Sequence, residues 1–319
     1  MARGPPWSPP RPIPSRGSRR EPKEIRKAPE NEGTKEGERD ACTQSTGRDP
    51  RRQYPHALLL RIHHPKRFDH GALQLYQTQV ERFKEGLEGL IGAEISDESL
   101  REAIRVYNRN RELLKELFDL RRSDTPPLSG AEALEILNAG FRMPKEEHTA
   151  LLERLLQEIS QSPPAPRGGP QYRLMINGSP LNNPEFIQTI EELGGLVVID
   201  ELCTGARYFW DPVDASLPPL EALSMRYLYH FPCARMYPSE ERFKRVINLA
   251  KEYKVHGVIT QMIRYCTPYT RDQVLLQEKL EEEGIPVLSL DVEYGQGGVG
   301  AIRTRVQAFL EMLEGRSAR

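Results

Sequence analysis

From Tyr172 onward, four short apolar runs each give way to a stretch with helical periodicity. The runs are YRLMINGSPL (172–181), GLVVIDELCTG (195–205), HGVITQMIRYC (256–266) and IPVLSLDVEY (285–294). Between and after them lie NPEFIQTIEELG, SEERFKRVINLAKEYK, DQVLLQEKLEEEG and AIRTRVQAFLEMLEG, each with apolar residues at helical spacing. Strands this short, with so few polar positions, are expected to be buried on both faces. Alternation with helices makes them parallel, so residues 171–316 are expected to form a flavodoxin-like or Rossmann-like α/β domain. Asn183 followed by Pro184 is a helix start, a capping side chain and then a residue that lacks the N–H a first turn leaves unused.

The segment before this domain has a different period. Leu73, Tyr76, Val80, Phe83 and Leu87 mark one helical face, and Gly92 can end that helix. A second helix starts at Ser96 or Asp97 and repeats at Leu100, Ile104, Tyr107, Leu114 and Leu117. TPPLSG breaks it, and two shorter helices are expected over about 129–140 and 145–160; the charges of this helical region are read as mostly a solvated face. QSPPAPRGGPQ (161–171) reads as a linker. Residues 54–160 are thus a residual strand, Ala57 to Ile62, followed by a helical region. His56, His63 and His64 flank that strand and are read as surface or core histidines rather than metal ligands.

Residues 1–53 are dense in Pro, Gly, Arg and Glu and nearly free of aliphatic side chains, so they are expected to stay disordered. That tail agrees with a hydrophobic content of 38% and a mean hydropathy of −0.61, low for a wholly globular chain. A net charge of −1 gives no electrostatic case for nucleic acid or an anionic membrane. No run approaches the length of a membrane span, and no apolar signal core follows the N-terminus. The four cysteines, 42, 203, 233 and 266, are too widely spaced for a disulfide framework, which points to a reducing, cytoplasmic setting.

In open α/β sheets ligands gather outside the carboxyl ends of the strands. Here those ends carry Asn177-Gly178-Ser179-Pro180, Asp200-Glu201-Leu202-Cys203-Thr204-Gly205, Arg264-Tyr265-Cys266-Thr267-Pro268 and Asp291-Val292-Glu293-Tyr294-Gly295. Cys203 and Cys266 leave equivalent ends of different strands, and Cys233, in HFPCARMYP, lies on a crossover that can return to the same edge. Three thiols from three loops suit a cluster in a cleft, with His230 or His256 as a fourth ligand if the metal is zinc; close-spaced pairs of the zinc-knuckle kind are absent. A single cysteine near a strand end, taken alone, is usually a small buried apolar residue. Asn177, Gly178 and Ser179 form a turn that a phosphate-bearing substrate can approach, without a full glycine fingerprint. Cys42, on the tail, makes a poor ligand because binding would have to order its surroundings.

RLMINGSPLNNPEFIQTIEELGGLVVIDELCTGAR, RYCTPYTRD, LEEEGIPVLSLDVEY and IRTRVQAFLEML resemble the C-terminal half of the 2-hydroxyacyl-CoA dehydratase / benzoyl-CoA reductase family. EISDESLREAIRVYNRNRELLKELFDLRR and PPLSGAEAL are similar to its middle, so the resemblance covers about residues 57–314. It implies an acyl-CoA substrate, a [4Fe–4S] cluster held by three cysteines, a paralogous second subunit and an ATP-dependent activator protein that delivers one electron. The implied reaction is ketyl-radical elimination of water from a 2-hydroxyacyl-CoA, a lyase reaction within a complex. Aromatic acyl-CoA reduction, or a truncated non-catalytic assembly role, is the alternative. Three thiolates would leave one iron open to a substrate oxygen or water. Family members resemble each other in an additional N-terminal α/β half with cysteines of its own, which this chain does not match. The resemblance therefore implies Cys266 as a ligand most directly, with Cys203 and Cys233 as its candidate companions.

Overall fold

The computed structural model describes residues 60, 62–66, 70–161, 172–230, 233–237, 239–293 and 299–317, all in the unit that begins at Leu60. The expected tail with Cys42, His56, most of the Ala57–Ile62 strand, linker residues 162–171, and Tyr294 with Gly295 lie outside these residues.

Helices α1 (His70–Ile91), α2 (Asp97–Asp119), α3 (Gly130–Gly140) and α4 (Lys145–Gln161) fall where the periodicity puts them. Their starts follow from local chemistry. Ser96 accepts from the Ser99 N–H at the start of α2, with Asp97 and Glu98 in the first turn. Ser129 and Glu132 exchange side-chain and backbone hydrogen bonds as a capping box before α3. Gly92, at a φ of 69°, ends α1.

Four parallel strands follow, β1 (Tyr172–Gly178), β2 (Gly195–Glu201), β3 (Gly257–Ile263) and β4 (Val287–Val292), in the order β2-β1-β3-β4. Helix α5 (Pro184–Glu192) joins β1 to β2, capped by Asn183 with Pro184 in its first turn. The crossover from β2 to β3 holds α6 (Ala206–Phe209), α7 (Pro219–Tyr229) and α8 (Glu240–Glu252). The first two of these have no counterpart among the expected elements: α6 is a single turn, and the apolar pattern of α7 is interrupted by buried Ser224 and Arg226. Helices α9 (Thr267–Glu282) and α10 (Val299–Ser317) complete the chain.

The strands are covered on both faces, as their apolar content requires. Leu174, Ile176, Val197 and Ile259 pack with Ile187 and Ile190 of α5 and Val306, Phe309 and Leu310 of α10. Met175, Leu196, Val198 and Val258 pack on the other face with Leu114, Leu117 and Phe118 of α2, Val246 and Leu249 of α8, and Leu276 and Leu280 of α9. The helical region and the sheet therefore share one core. Arg173 of β1 fastens that junction: its guanidinium donates to the carbonyls of Tyr253 at 2.9 Å, Ser123 at 2.8 Å and Arg121 at 3.0 Å.

Two arginines of the helical region depart from its mostly solvated charged face. Arg111 and Arg121 are each only 2% exposed. Arg111 follows buried Ile104 by seven residues and precedes buried Leu114 by three, so it rides the inward stripe of α2.

Candidate functional site

The chain reverses its direction across the sheet between β1 and β3, so the loops leaving these two strands flank the crevice where α/β sheets place ligands. The first of those loops is pinned to the second strand. The Ser179 N–H donates to the Gln261 carbonyl at 2.9 Å, and Ser179 Oγ accepts from the Ile263 N–H at 3.1 Å. Gly178 sits at a φ of 129°, and a Cβ there would lie 1.9 Å from the Gln261 carbonyl oxygen. Only glycine allows that approach. Asn177 and Ser179 are buried, so this turn serves to join β1 to β3 at the crevice floor.

At the end of β2, one buried carboxylate shapes the turn that carries Cys203. Asp200 Oδ1 accepts from the N–H groups of Leu202 at 3.2 Å and Ala206 at 2.8 Å. A Cβ at position 205 would fall 1.7 Å from that same oxygen, which explains the glycine there. Burial pushes the Asp200 carboxyl up to about 6, against the two N–H bonds that pull it down. A carboxyl whose folded value lies above its unfolded one stabilises the fold fully in acid. That contribution is lost as pH rises through the interval from about 3.8 to about 6. Asp200→Asn keeps the Oδ1 acceptor and removes the charge. It is expected to abolish a loss of roughly 3 kcal/mol between pH 4 and pH 7, read by urea unfolding of both proteins across that range. Identical pH slopes would show that the carboxylate is solvated.

Glu201, wholly buried, pairs through both oxygens with Nε and Nη2 of Arg207 on α6. The remaining arm of that guanidinium, Nη1, donates to the Cys203 sulfur at 3.3 Å, and its plane lies 5.4 Å from the Tyr269 ring centre. Cys203 faces solvent in part, yet protein crowding raises its thiol above the usual range more than Arg207 lowers it.

Cys233 lies beside Cys203, and the two line one cavity of about 260 Å³ with Arg111, Arg207, Tyr208, Arg226, Tyr227 and His230. Its carbonyl accepts from Arg242 Nη1 at 3.0 Å, and Arg242 is itself bound to buried Asp272 on α9. Cys266 occupies the N-cap of α9, its N–H on the Ile263 carbonyl at 2.9 Å and its own carbonyl accepting from the Thr270 N–H at 3.0 Å. The thiol is half-buried and is not among the residues lining the cavity. Tyr265 before it is 91% exposed at a φ of 71°.

The structure thus brings Cys203 and Cys233 together and sets Cys266 at a separate point of the same edge. Among the described residues, no group of three His, Cys, Asp or Glu side chains is placed to hold a metal ion. These residues by themselves do not fit a cluster bound by three thiolates. Of the histidines considered for zinc, His230 shares the cavity, held between Asp211 and the Arg207 carbonyl. His256 does not: it precedes β3, at the opposite edge, where its Nδ1 accepts from the Arg173 N–H at 2.9 Å. The residues that sequence reasoning missed are Arg111 and Arg226. The signal for Arg111 was its place on the apolar stripe of α2; Arg226 on α7 had none.

Comparison with known proteins decides the family. The model for the D-component of 2-hydroxyglutaryl-CoA dehydratase matches residues 51–313. The chain belongs to this dehydratase family. A putative dehydratase subunit, YjiM, of Escherichia coli (strain K12) is 31% identical over 77% of this chain and 65% of its own length. A benzoyl-CoA reductase subunit of Thauera aromatica is 27% identical over 75% of this chain and 63% of its own. The beta subunit of lactoyl-CoA dehydratase of Anaerotignum propionicum is 26% identical over 76% and 65%. The chain therefore spans just under two thirds of the length of these relatives. No helix among the described residues is long and apolar enough to cross a membrane.

Proposed function

We propose that this dehydratase-family chain is a subunit of a cytoplasmic 2-hydroxyacyl-CoA dehydratase, acting on an acyl-CoA together with a paralogous second subunit and an ATP-dependent activator protein. Family membership carries the reading, because relatives named as lactoyl-, phenyllactyl- and 2-hydroxyglutaryl-CoA dehydratase subunits match 71–76% of this chain at 25–26% identity. The cofactor in this reading is a [4Fe–4S] cluster, which supplies one-electron chemistry when bound. Cys266, at the end of a central strand, is the chain's first ligand; Cys203 and Cys233 are the next. Since the described residues do not bring three thiols to one point, assembly with the partner subunit is required to complete the set.

Similarity to a benzoyl-CoA reductase subunit supports a second reading, reduction of an aromatic acyl-CoA. Product analysis separates the two, an enoyl-CoA formed by loss of water against a ring-reduced thioester. The chain, co-purified anaerobically with its partner subunit, is expected to carry iron and thiolate-to-iron absorption. A complex free of iron after reconstitution would overturn the cluster reading.

A further inference from the structure

Among the described residues, the cavity that Cys203 and Cys233 share is lined by three guanidinium groups, those of Arg111, Arg207 and Arg226, and by no carboxylate. Glu201 already neutralises Arg207. Arg111 and Arg226 are 2% and 7% exposed and have no ion-pair partner among the described residues. Arg111 donates to Asn108 Oδ1 at 3.0 Å and to the Tyr227 hydroxyl at 3.4 Å, and Arg226 to the Tyr208 carbonyl at 3.0 Å. Those bonds leave the Nε of both arginines, and the Tyr208 hydroxyl, buried without a hydrogen-bond partner among the described residues. Lys145 adds a further positive charge, its ammonium 4.9 Å from the Tyr208 ring centre. Asp211, hydrogen-bonded to His230, lies close enough to favour the charge of Arg226 but makes no ion pair with it and does not line the cavity.

A buried cationic cluster of this kind is unfavourable unless something supplies negative charge and acceptors. The repulsion is visible in Arg226, which burial and then the charge of Arg111 bring down to about 10. A donor set of guanidiniums and a hydroxyl suits oxygen acceptors, and more than one unneutralised cation suits a dianion over a carboxylate. At about 260 Å³ the space is below that of a pocket for a whole cofactor, and holds one compact group.

We propose that this cavity binds a single oxyanion of the phosphoryl class, either as free phosphate or as a phosphate group of a larger ligand. Cys203 and Cys233, candidate cluster ligands, line this cavity while Cys266 does not, so the site is tested on the chain without iron.

Inorganic phosphate, added to the iron-free full-length chain at ionic strength matched with sodium chloride, tests it. Phosphate is expected to raise the Tm and to slow alkylation of Cys203 by N-ethylmaleimide while leaving Cys266 unaffected, read by peptide mass spectrometry. Arg226→Gln is expected to raise the half-protecting phosphate concentration at least about tenfold. If that variant does not fold, Tyr208→Phe, which removes only a hydroxyl, should weaken protection severalfold. Coenzyme A protecting Cys203 in competition with phosphate assigns the site to a carried phosphate; protection by phosphate alone assigns it to the free anion. No protection of Cys203 by phosphate, or protection undiminished in a folded Arg226→Gln or Tyr208→Phe variant, would overturn the proposal. Iron content, measured separately on the assembled complex, tests the cluster reading without bearing on this result.

Discussion

Glu201→Gln is expected to destabilise the fold by about 4 kcal/mol, the loss found when one partner of a buried ion pair is removed. Glu201 and Arg207 side chains are 0% and 6% exposed, so the variant leaves a guanidinium buried without its counter-ion. Burial alone would lower the Arg207 value; the neighbouring carboxylate more than offsets that and holds it well above the ordinary arginine range. Gln can replace one accepted hydrogen bond but not the charge. For a domain of this size the loss corresponds to a fall in Tm of roughly 10 °C, measurable by calorimetry. The same substitution in an Arg207→Met background should have much less effect, since the stranded charge is gone. A single-variant loss below about 1 kcal/mol would mean that water reaches the pair and that Glu201 is not what holds Arg207 beside Cys203.

How far the sequence carried is clearest from particular residues. Ser96, Ser129 with Glu132, and Asn183 with Pro184 give the helix starts, because capping depends only on neighbouring atoms. The fully apolar runs 174–176 and 196–199 give buried parallel strands for the same local reason. The order β2-β1-β3-β4 was beyond reach, since no local pattern says on which side of β1 the third strand lands. Placing Cys203 and Cys266 at the same edge needed only strand direction. That Cys233 joins Cys203, and that Arg226 turns inward beside them, depends on how the crossover through α6 and α7 folds. Arg173 was equally hidden: it ends up binding three carbonyls because β1 passes under the turn after α2, a contact between segments about fifty residues apart.

Cys266→Ser is expected to remove the iron from the assembled complex while leaving the fold intact. The fold should survive because the position is half-buried and its thiol makes no capping bond. Serine is moreover a favoured N-cap residue, so the helix that begins at Thr267 loses nothing and can gain a hydrogen bond. Iron should be lost because a thiolate is a far better ligand than a hydroxyl at nearly the same size. The turn is also well determined: the Cys266 N–H is held by Ile263, the Thr270 side chain and N–H both return to its carbonyl, and Pro268 stiffens the first turn of the helix. Cys42→Ser is expected to leave the iron content unchanged. Cys203→Ser and Cys233→Ser then divide the possibilities. Loss of iron in both would mean that assembly draws the Cys203–Cys233 pair and Cys266 to a common point. Retention in both, with loss in Cys266→Ser, would place the remaining ligands on the partner subunit. Full iron content and an unchanged spectrum in Cys266→Ser would make the strand-end thiol a packing residue and remove the ligand on which the cluster reading chiefly rests.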